Sequence, residues 1–339
     1  MDPITRSAWG FAVDLVGGEP PTSLHPTVWM GRGLGRVRDV HRTRPRSRAE
    51  SLAIGVAAVA GGVAASAAFG ALLERCTLRM APPARTAVGG ALLKPALSLR
   101  ALVAAGGEVE DMLRRGDLDG ARGALSWHLV SRDTSRLTAA EVAGATIESL
   151  AENLSDSFVG PVIADMTGGL PAAYAYRFIN TADAMLGYRT PELEWLGKAA
   201  ARLDDAVNLV PARVSALLVA LAAPVAGGSV RGALHGVLSD AGRTPSPNAG
   251  WPMAAMAGAV GVRLDKRASE RSPDAIGPRR APRHLYILNR DGRAPTWRDV
   301  ARTRRIVAGA AMLMMAMPVA AAADHGRARG CSTGARFVI

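Results

Sequence analysis

Residues 51–73 read SLAIGVAAVAGGVAASAAFGALL, 23 positions without a single charged side chain. At a rise of about 1.5 Å per residue, a helix of this length covers a hydrocarbon layer of about 30 Å, so the stretch is expected to span a membrane. Directly before it stand Arg32, Arg36, Arg38, Arg42, Arg44, Arg46 and Arg48. Basic residues in a short loop remain on the cytoplasmic side, which sends this span outward.

The same signal recurs elsewhere along the chain. Val214 to Val230 and Ile306 to Ala323 are also uncharged and just long enough to span, with Pro224 and Pro318 expected to kink them. Ser157 to Tyr176 is apolar apart from Asp165, and an acid at that depth implies a side facing the bundle or water. Leu102 to Leu129 mixes apolar residues at helical spacing with Glu108, Glu110, Asp111, Arg114 and Arg115, the pattern of an amphipathic helical hairpin on one membrane face. Residues 265–305 are polar, Pro-rich and basic, the expected loop ahead of a last apolar helix and polar tail over 306–339. The expected fold class is therefore all-α: a polytopic helical protein of the cell membrane, with a cytoplasmic or interfacial amphipathic helical segment at about 100–130.

Composition agrees with that reading. The chain of 339 residues has a mean hydropathy of +0.12, few aromatics and a net charge of +12. The arginines lie between uncharged stretches, as loops facing an anionic leaflet require. They lack the interleaved aromatics of a single-strand platform, and no zinc-finger or helix-turn-helix pattern accompanies them, so no nucleic-acid partner is expected. Cys76 and Cys331 are far apart, without metal-ligand spacing, and read as structural thiols. Asp2, Arg6 and Asp14 interrupt the apolar run that a signal peptide needs. No repeat, parallel-sheet pattern or phosphate-binding Gly-x-x-x-x-Gly-Lys loop is present.

The densest polar stretch is Glu148-Ser-Leu-Ala-Glu152-Asn153-Leu-Ser-Asp156, whose three acids recur every four residues on one helical face. Stacked acids repel unless a cation lies among them, and magnesium takes carboxylate oxygens while bridging to phosphates. The competing reading is a solvated face with Ser155 or Asp156 capping the next helix. Asn180 and Asp183 stand one turn apart ahead of Gly187-Tyr188-Arg189, either as site residues or as an N-cap with an acid at N3. In Arg202-Leu-Asp204-Asp205-Ala-Val-Asn208-Leu-Val-Pro211-Ala-Arg213, Asp204 and Asn208 share a face. There Arg202 and Arg213 either hold phosphate by paired charge-assisted bonds or snorkel at an interface. Thr244-Pro-Ser246-Pro-Asn248-Ala-Gly250-Trp251 is a rigid turn before an apolar segment too short to span. It is either a re-entrant element presenting Ser246 and Asn248 or a surface turn with an interfacial Trp. His25, beside Pro26, is either a base or ligand or a structural residue.

Taken in order, His25 to Arg32, Ser131-Arg132-Asp133-Thr134, Glu148 to Pro161, Asn180 to Arg189, Leu203 to Arg213 and Ser246 to Trp251 resemble the signature blocks of the adenosylcobinamide-phosphate synthase family, the CobD/CbiB type. The resemblance runs from about Asp14 to Leu264 and makes residues 1–264 a membrane catalytic domain. It implies a multi-pass enzyme of cobalamin biosynthesis that joins adenosylcobyric acid, its corrinoid substrate, to (R)-1-amino-2-propanol or its O-phosphate, giving adenosylcobinamide or its phosphate. Amide formation from a free carboxylate is uphill in water, so the implied ATP and magnesium make sense as activation to an acyl phosphate. On that reading Glu148, Glu152, Asp156 and Asp183 hold magnesium. Arg132, Arg202 and Arg213 bind phosphate, with Asn180, Ser246 and Asn248 binding substrate. Asp204 or Asp205 deprotonates the amine, with Glu152 also catalytic. Membrane lipid and other enzymes of the pathway are the implied partners. The apolar stretch before Asp14 is shorter than the family's usual first helix, and the closing block after Leu264 is replaced by a basic segment containing His284-Leu-Tyr286-Ile-Leu-Asn289.

Two other functions suit a helical membrane chain. A transporter would place acids near span centres, whereas here most acids lie at the ends of apolar runs. A noncatalytic scaffold would need only the arginine-rich loops.

Overall fold

The computed structural model describes residues 2–188, 190–266 and 285–331, with side chains in the last segment described as far as residue 316. Arg189, His284, most of the expected basic loop and the tail after Cys331 lie outside the described residues.

The described residues are helical almost throughout. In chain order the helices are α1 (Pro3–Gly17), α2 (Pro26–Arg42), α3 (Arg48–Thr77), α4 (Pro82–Leu93), α5 (Leu99–Arg115), α6 (Leu118–His128), α7 (Ala139–Leu154) and α8 (Gly160–Leu186). There follow α9 (Lys198–Val207), α10 (Leu209–Ala222), α11 (Val230–Asp240), α12 (Gly250–Val260) and α13 (Trp297–Cys331). Two short strands, β1 (Leu264–Asp265) and β2 (Ile287–Leu288), pair antiparallel between α12 and α13. The helical hairpin expected at Leu102 to Leu129 is α5 and α6, turned by Gly116 in the left-handed region.

The charge-free stretch lies inside α3, which starts at a capping box formed by Ser47 and Glu50. Gly55, Gly62 and Gly70 recur along one side of α3, where a Cβ would strike Leu196, Phe178 and Leu170 respectively. Small residues at this spacing let α8 and the loop after it pack against the α3 backbone, as in helix pairs within lipid. Little of α3 is otherwise covered by protein, and it is long and apolar enough to cross a membrane. Leu209–Ala226, where α10 continues into a 3₁₀ turn, is also long and apolar enough to cross but is half buried inside the protein, and the bent pair Pro82–Ala96 and Leu99–Arg115, 43° apart, makes a third crossing if counted as one.

Two expected spans and one expected loop need revision. The one placed at Val214 to Val230 begins earlier, at Leu209, and Pro224 falls in the closing 3₁₀ turn ahead of left-handed Gly227, so it ends the helix rather than kinking it. Ser157 to Tyr176 is not continuous: a π turn over Ser155–Val159 opens it, and non-helical Gly168 with Gly169, at φ 71°, breaks α8 before Pro171. The stretch read as a polar loop to residue 305 is shorter, because Thr296 and Asp299 cap α13 and the helix runs from Trp297. Side chains for the later part of the Ile306 to Ala323 segment lie outside those described.

The core forms around α7 and α12. Every residue of α7 from Val142 to Ala151 is buried, and α12 is apolar on all sides, which explains an 11-residue helix in the middle of a bundle. Trp251 and the segment after it therefore form an internal helix rather than a surface turn.

Candidate functional site

The π turn shapes the site. Pro161 has no N–H to give the Ser157 carbonyl, and that carbonyl instead accepts from the Ser98 N–H at 3.0 Å. The helix widens over this stretch, Gly160 bonding back to the Ser155 carbonyl, and the Glu148 to Asp156 face acquires one wide turn. Neither Ser155 nor Asp156 caps a new helix, because the chain runs from α7 into α8 without interruption.

Asp156 meets two further motif blocks. Asn180 lies inside α8, not at an N-cap, and hydrogen-bonds both Asp156 and Asp204. Asp204, on α9, also bonds Asn208, whose Oδ1 accepts from the Tyr176 hydroxyl at 2.6 Å. Asp183 stands one turn beyond Asn180, facing Asp204, Asp205 and Glu152. The Ser246 block closes the far side: Asn248 Nδ2 donates to the Asp205 carbonyl at 2.7 Å, and Ser246 Oγ accepts from the Asn248 N–H. Glu152, Ser155, Asp156, Asp204, Asn208, Ser246 and Asn248 thus line one cleft between α7, α9, α10 and α12.

Electrostatics mark this cleft as carboxylate-rich. Burial, followed by Asp204 and Glu152, holds Asp156 well above the usual carboxylate range. Burial and then Asp183 raise Asp204 as well, while burial and Asp205 push Asp183 up to about 6. Glu152 is raised by burial against the pull of Lys266. Like charges crowded in a desolvated cleft favour the neutral forms, or a cation among them.

At the other end of the row, Glu148 is raised to about 6 by burial, with Lys266 and Arg132 opposing. Tyr286 hydrogen-bonds Glu148 and lies 5.3 Å beneath Lys266 Nζ. Arg132, Glu148, Arg263 and Lys266 line a second cleft there. Among the described residues no three Asp, Glu, His or Cys side chains stand close enough to form a ready metal cage. Glu148, Glu152, Asp156 and Asp183 are therefore a row and not a four-ligand cage. The paired carboxylates still fit magnesium as nucleotide enzymes hold it, by one or two acids with phosphate and water completing the shell.

Most of the expected residues come together, with two displaced. Arg202, two positions before Asp204, points to another side of α9, is exposed, and makes no hydrogen bond or ion pair among the described residues. Arg213 sits at the cleft rim, donating to Asn248 Oδ1 at 3.1 Å and to the Leu209 carbonyl, with its guanidinium 4.4 Å over the Trp251 ring. His25 is structural: Nδ1 accepts from the Thr27 N–H as an N-cap, and Nε2 meets Glu19 at 3.1 Å. Lys266 and Tyr286 were not singled out by their motifs, because both follow the last signature block. A lone lysine and tyrosine at the edges of a basic segment carry no spacing signal.

The model of the family described as CobD/Cbib protein matches residues 7–282, well past Leu264, where the sequence resemblance was expected to stop. The chain is 38% identical over 310 residues to a "Cobalamin biosynthesis protein CobD" of Mycobacterium tuberculosis, covering 90% of this chain and 92% of the relative. It is 40% identical over 253 residues to the protein of that name from Geobacter metallireducens, covering 74% and 78% of the two. A "Probable cobalamin biosynthesis protein CobD" of Methanocaldococcus jannaschii is 35% identical over 254 residues, 75% of this chain and 82% of the relative. No solved structure matches. With most of its length matched by the family and by these relatives, the chain belongs to the CobD/Cbib family.

Proposed function

We propose that this protein is a membrane-embedded ligase of cobalamin biosynthesis that joins adenosylcobyric acid to (R)-1-amino-2-propanol or its O-phosphate through an amide bond. The observation that carries the reading is the convergence of acids from three separate sequence blocks, Glu152 and Asp156, Asp183, and Asp204, at one cleft. Membrane scaffolding has no use for such crowding. A transporter would place the acids along a span, yet those of the cleft lie on α7, the π turn, the end of α8 and α9, outside the helices both long and apolar enough to cross.

Amide ligation needs a carboxylate activated by a nucleotide, an amine freed of its proton, and neutralisation of phosphate charge. Glu152 and Asp183, which repel each other across the cleft, are the pair assigned to magnesium; that ion, when bound, neutralises the transferred phosphoryl group. Asp204 is the assigned base: its raised affinity for a proton suits it to take one from the ammonium near neutral pH. Arg132 and Lys266 bind anionic oxygens at the Glu148 end, and Arg213 does so at the rim of the amine end, replacing the exposed Arg202. Helices α3 and α10 seat the enzyme in the cell membrane, with the arginines expected in a loop carried instead on α2 and the turn before α3, on the cytoplasmic side.

The test is cobinamide formation by the detergent-solubilised protein given adenosylcobyric acid, either amine, ATP and magnesium. Product that depends on both ATP and magnesium, and that disappears in folded Glu152→Gln, supports the reading. Absence of product from folded wild type with every nucleotide and either amine would overturn it.

A further inference from the structure

The Ser155 hydroxyl is buried, lines the acidic cleft, and has no hydrogen-bond partner. Ser155 as a residue is 3% exposed. An unpaired hydroxyl in such a place costs about 1–3 kcal/mol unless something fills its donor and acceptor sites. Ser155 is the first residue of the wide turn, where its carbonyl accepts from the Gly160 N–H, and it lines the cleft together with Glu152 and Asp204. One Asp204 carboxylate oxygen, Oδ1, is likewise buried without a partner. Two unspent polar groups, one of them an acceptor with negative charge, thus share a cleft of about 270 Å³, open mouth included. That volume lies at the bottom of the range for ligand sites, too small for a nucleotide or a corrinoid.

We infer that this cleft is the subsite of a small primary ammonium bearing an oxygen on the neighbouring carbon, with its nitrogen at Asp156 and Asp204 and its oxygen at the Ser155 hydroxyl. The inference rests on the ligation reading and divides that site in two. The small amine occupies the Asp156 to Asn248 end, and the anionic partners occupy the end lined by Arg132, Arg263 and Lys266. Glu152 belongs to both, since it lines the amine cleft and feels the Lys266 charge. The amine nitrogen then lies beside the acid assigned to take its proton, which is the placement an attacking amine needs. Ser155 selects an amino alcohol over a plain alkylamine, because a site built to bond a substrate oxygen loses affinity for the analogue that lacks it.

The experiment is calorimetric titration of the full-length protein in detergent with 1-amino-2-propanol, its O-phosphate and propylamine, beside the variants Ser155→Ala and Ser155→Val. Wild type should bind at least one oxygen-bearing amine about tenfold more tightly than propylamine. Ser155→Ala should bring that amine down to the affinity of propylamine, whose own binding stays the same. Ser155→Val, which fills the cleft, should lose all three amines while titration of the same protein with ATP and magnesium gives the wild-type affinity. Equal affinity of wild type and Ser155→Val for the amines would overturn the inference, as would a Ser155→Ala loss that is the same with and without the oxygen. Failure of the ligation reading registers separately, as absent product from wild type that still binds amine.

Discussion

Two buried clusters of charge in this molecule are built in opposite ways. At the N-terminal side, Arg6 is ion-paired to Glu74 at 2.7 Å and to Asp165 at 2.8 Å, with the Ser7 hydroxyl donating to the same carboxylate. Nearby, Lys94 is 2.9 Å from both Asp14 and Glu19, and His25 completes Glu19. Each cation there meets carboxylates directly, and the clusters tie α1 to α3, to α8 and to the turn after α4. In the α7 to α9 cleft, by contrast, carboxylates face carboxylates, amides bridge them, and a serine hydroxyl is left over. Paired charges in a low-dielectric interior hold elements in register, whereas crowded like charges with unspent polar atoms are the mark of a site completed by a ligand.

The contrast can be broken by mutation. Arg6→Met leaves Asp165 buried without its cation and should cost about 3–5 kcal/mol of stability, read by denaturant or thermal unfolding in detergent. Asp204→Asn, a change at a half-buried carboxylate of the cleft, should leave the unfolding midpoint equal or higher, since it removes repulsion. It should nevertheless cut product formation by about 10²-fold or more if Asp204 is the base. Similar stability losses for both variants would erase the distinction.

A smaller effect follows from pH. Glu148 holds its proton up to about pH 6 in the folded protein against 4.5 for the ordinary group, so the folded state binds more protons between these values. Stability should therefore fall as pH rises from about 4.5 to 6, by about 2 kcal/mol in total, and remain lower above that. Glu148→Gln should flatten this slope in unfolding measured across the same range; an unchanged slope would show that Glu148 is not its source. The least effect is expected at Arg202. Because that side chain is exposed and off the cleft, Arg202→Ala should change stability by less than about 0.5 kcal/mol and leave the KM for ATP and for the amine within error, by steady-state kinetics.

Much of this was legible in the sequence because it rests on local signals. A charge-free run of 23 residues made α3 recognisable, and the four-residue spacing of Glu148, Glu152 and Asp156 placed them on one helix. The joining of that face to Asn180, Asp183 and Asp204 came through the resemblance, since no spacing rule relates residues so far apart. The π turn was not legible: it depends on Pro161 releasing a carbonyl that only the tertiary neighbour Ser98 satisfies. The pairing of Arg6 with Asp165 spans 159 residues, and nothing in either neighbourhood points to the other. Gly168 and Gly169 hid a helix break inside an apolar run because glycine is common within helices in lipid. Arg202 lies off the cleft for a simpler reason: residues two apart on a helix point about 200° away from each other, so sharing a block with Asp204 does not put the two on one face.

The most direct test of the account pairs product formation with unfolding for one acid that faces the cleft carboxylates. Folded Asp183→Asn, compared with wild type under ATP and magnesium, should keep or raise its unfolding midpoint and lose nearly all cobinamide synthesis. Full synthesis by that variant would contradict the assignment of the acidic cleft as the catalytic centre.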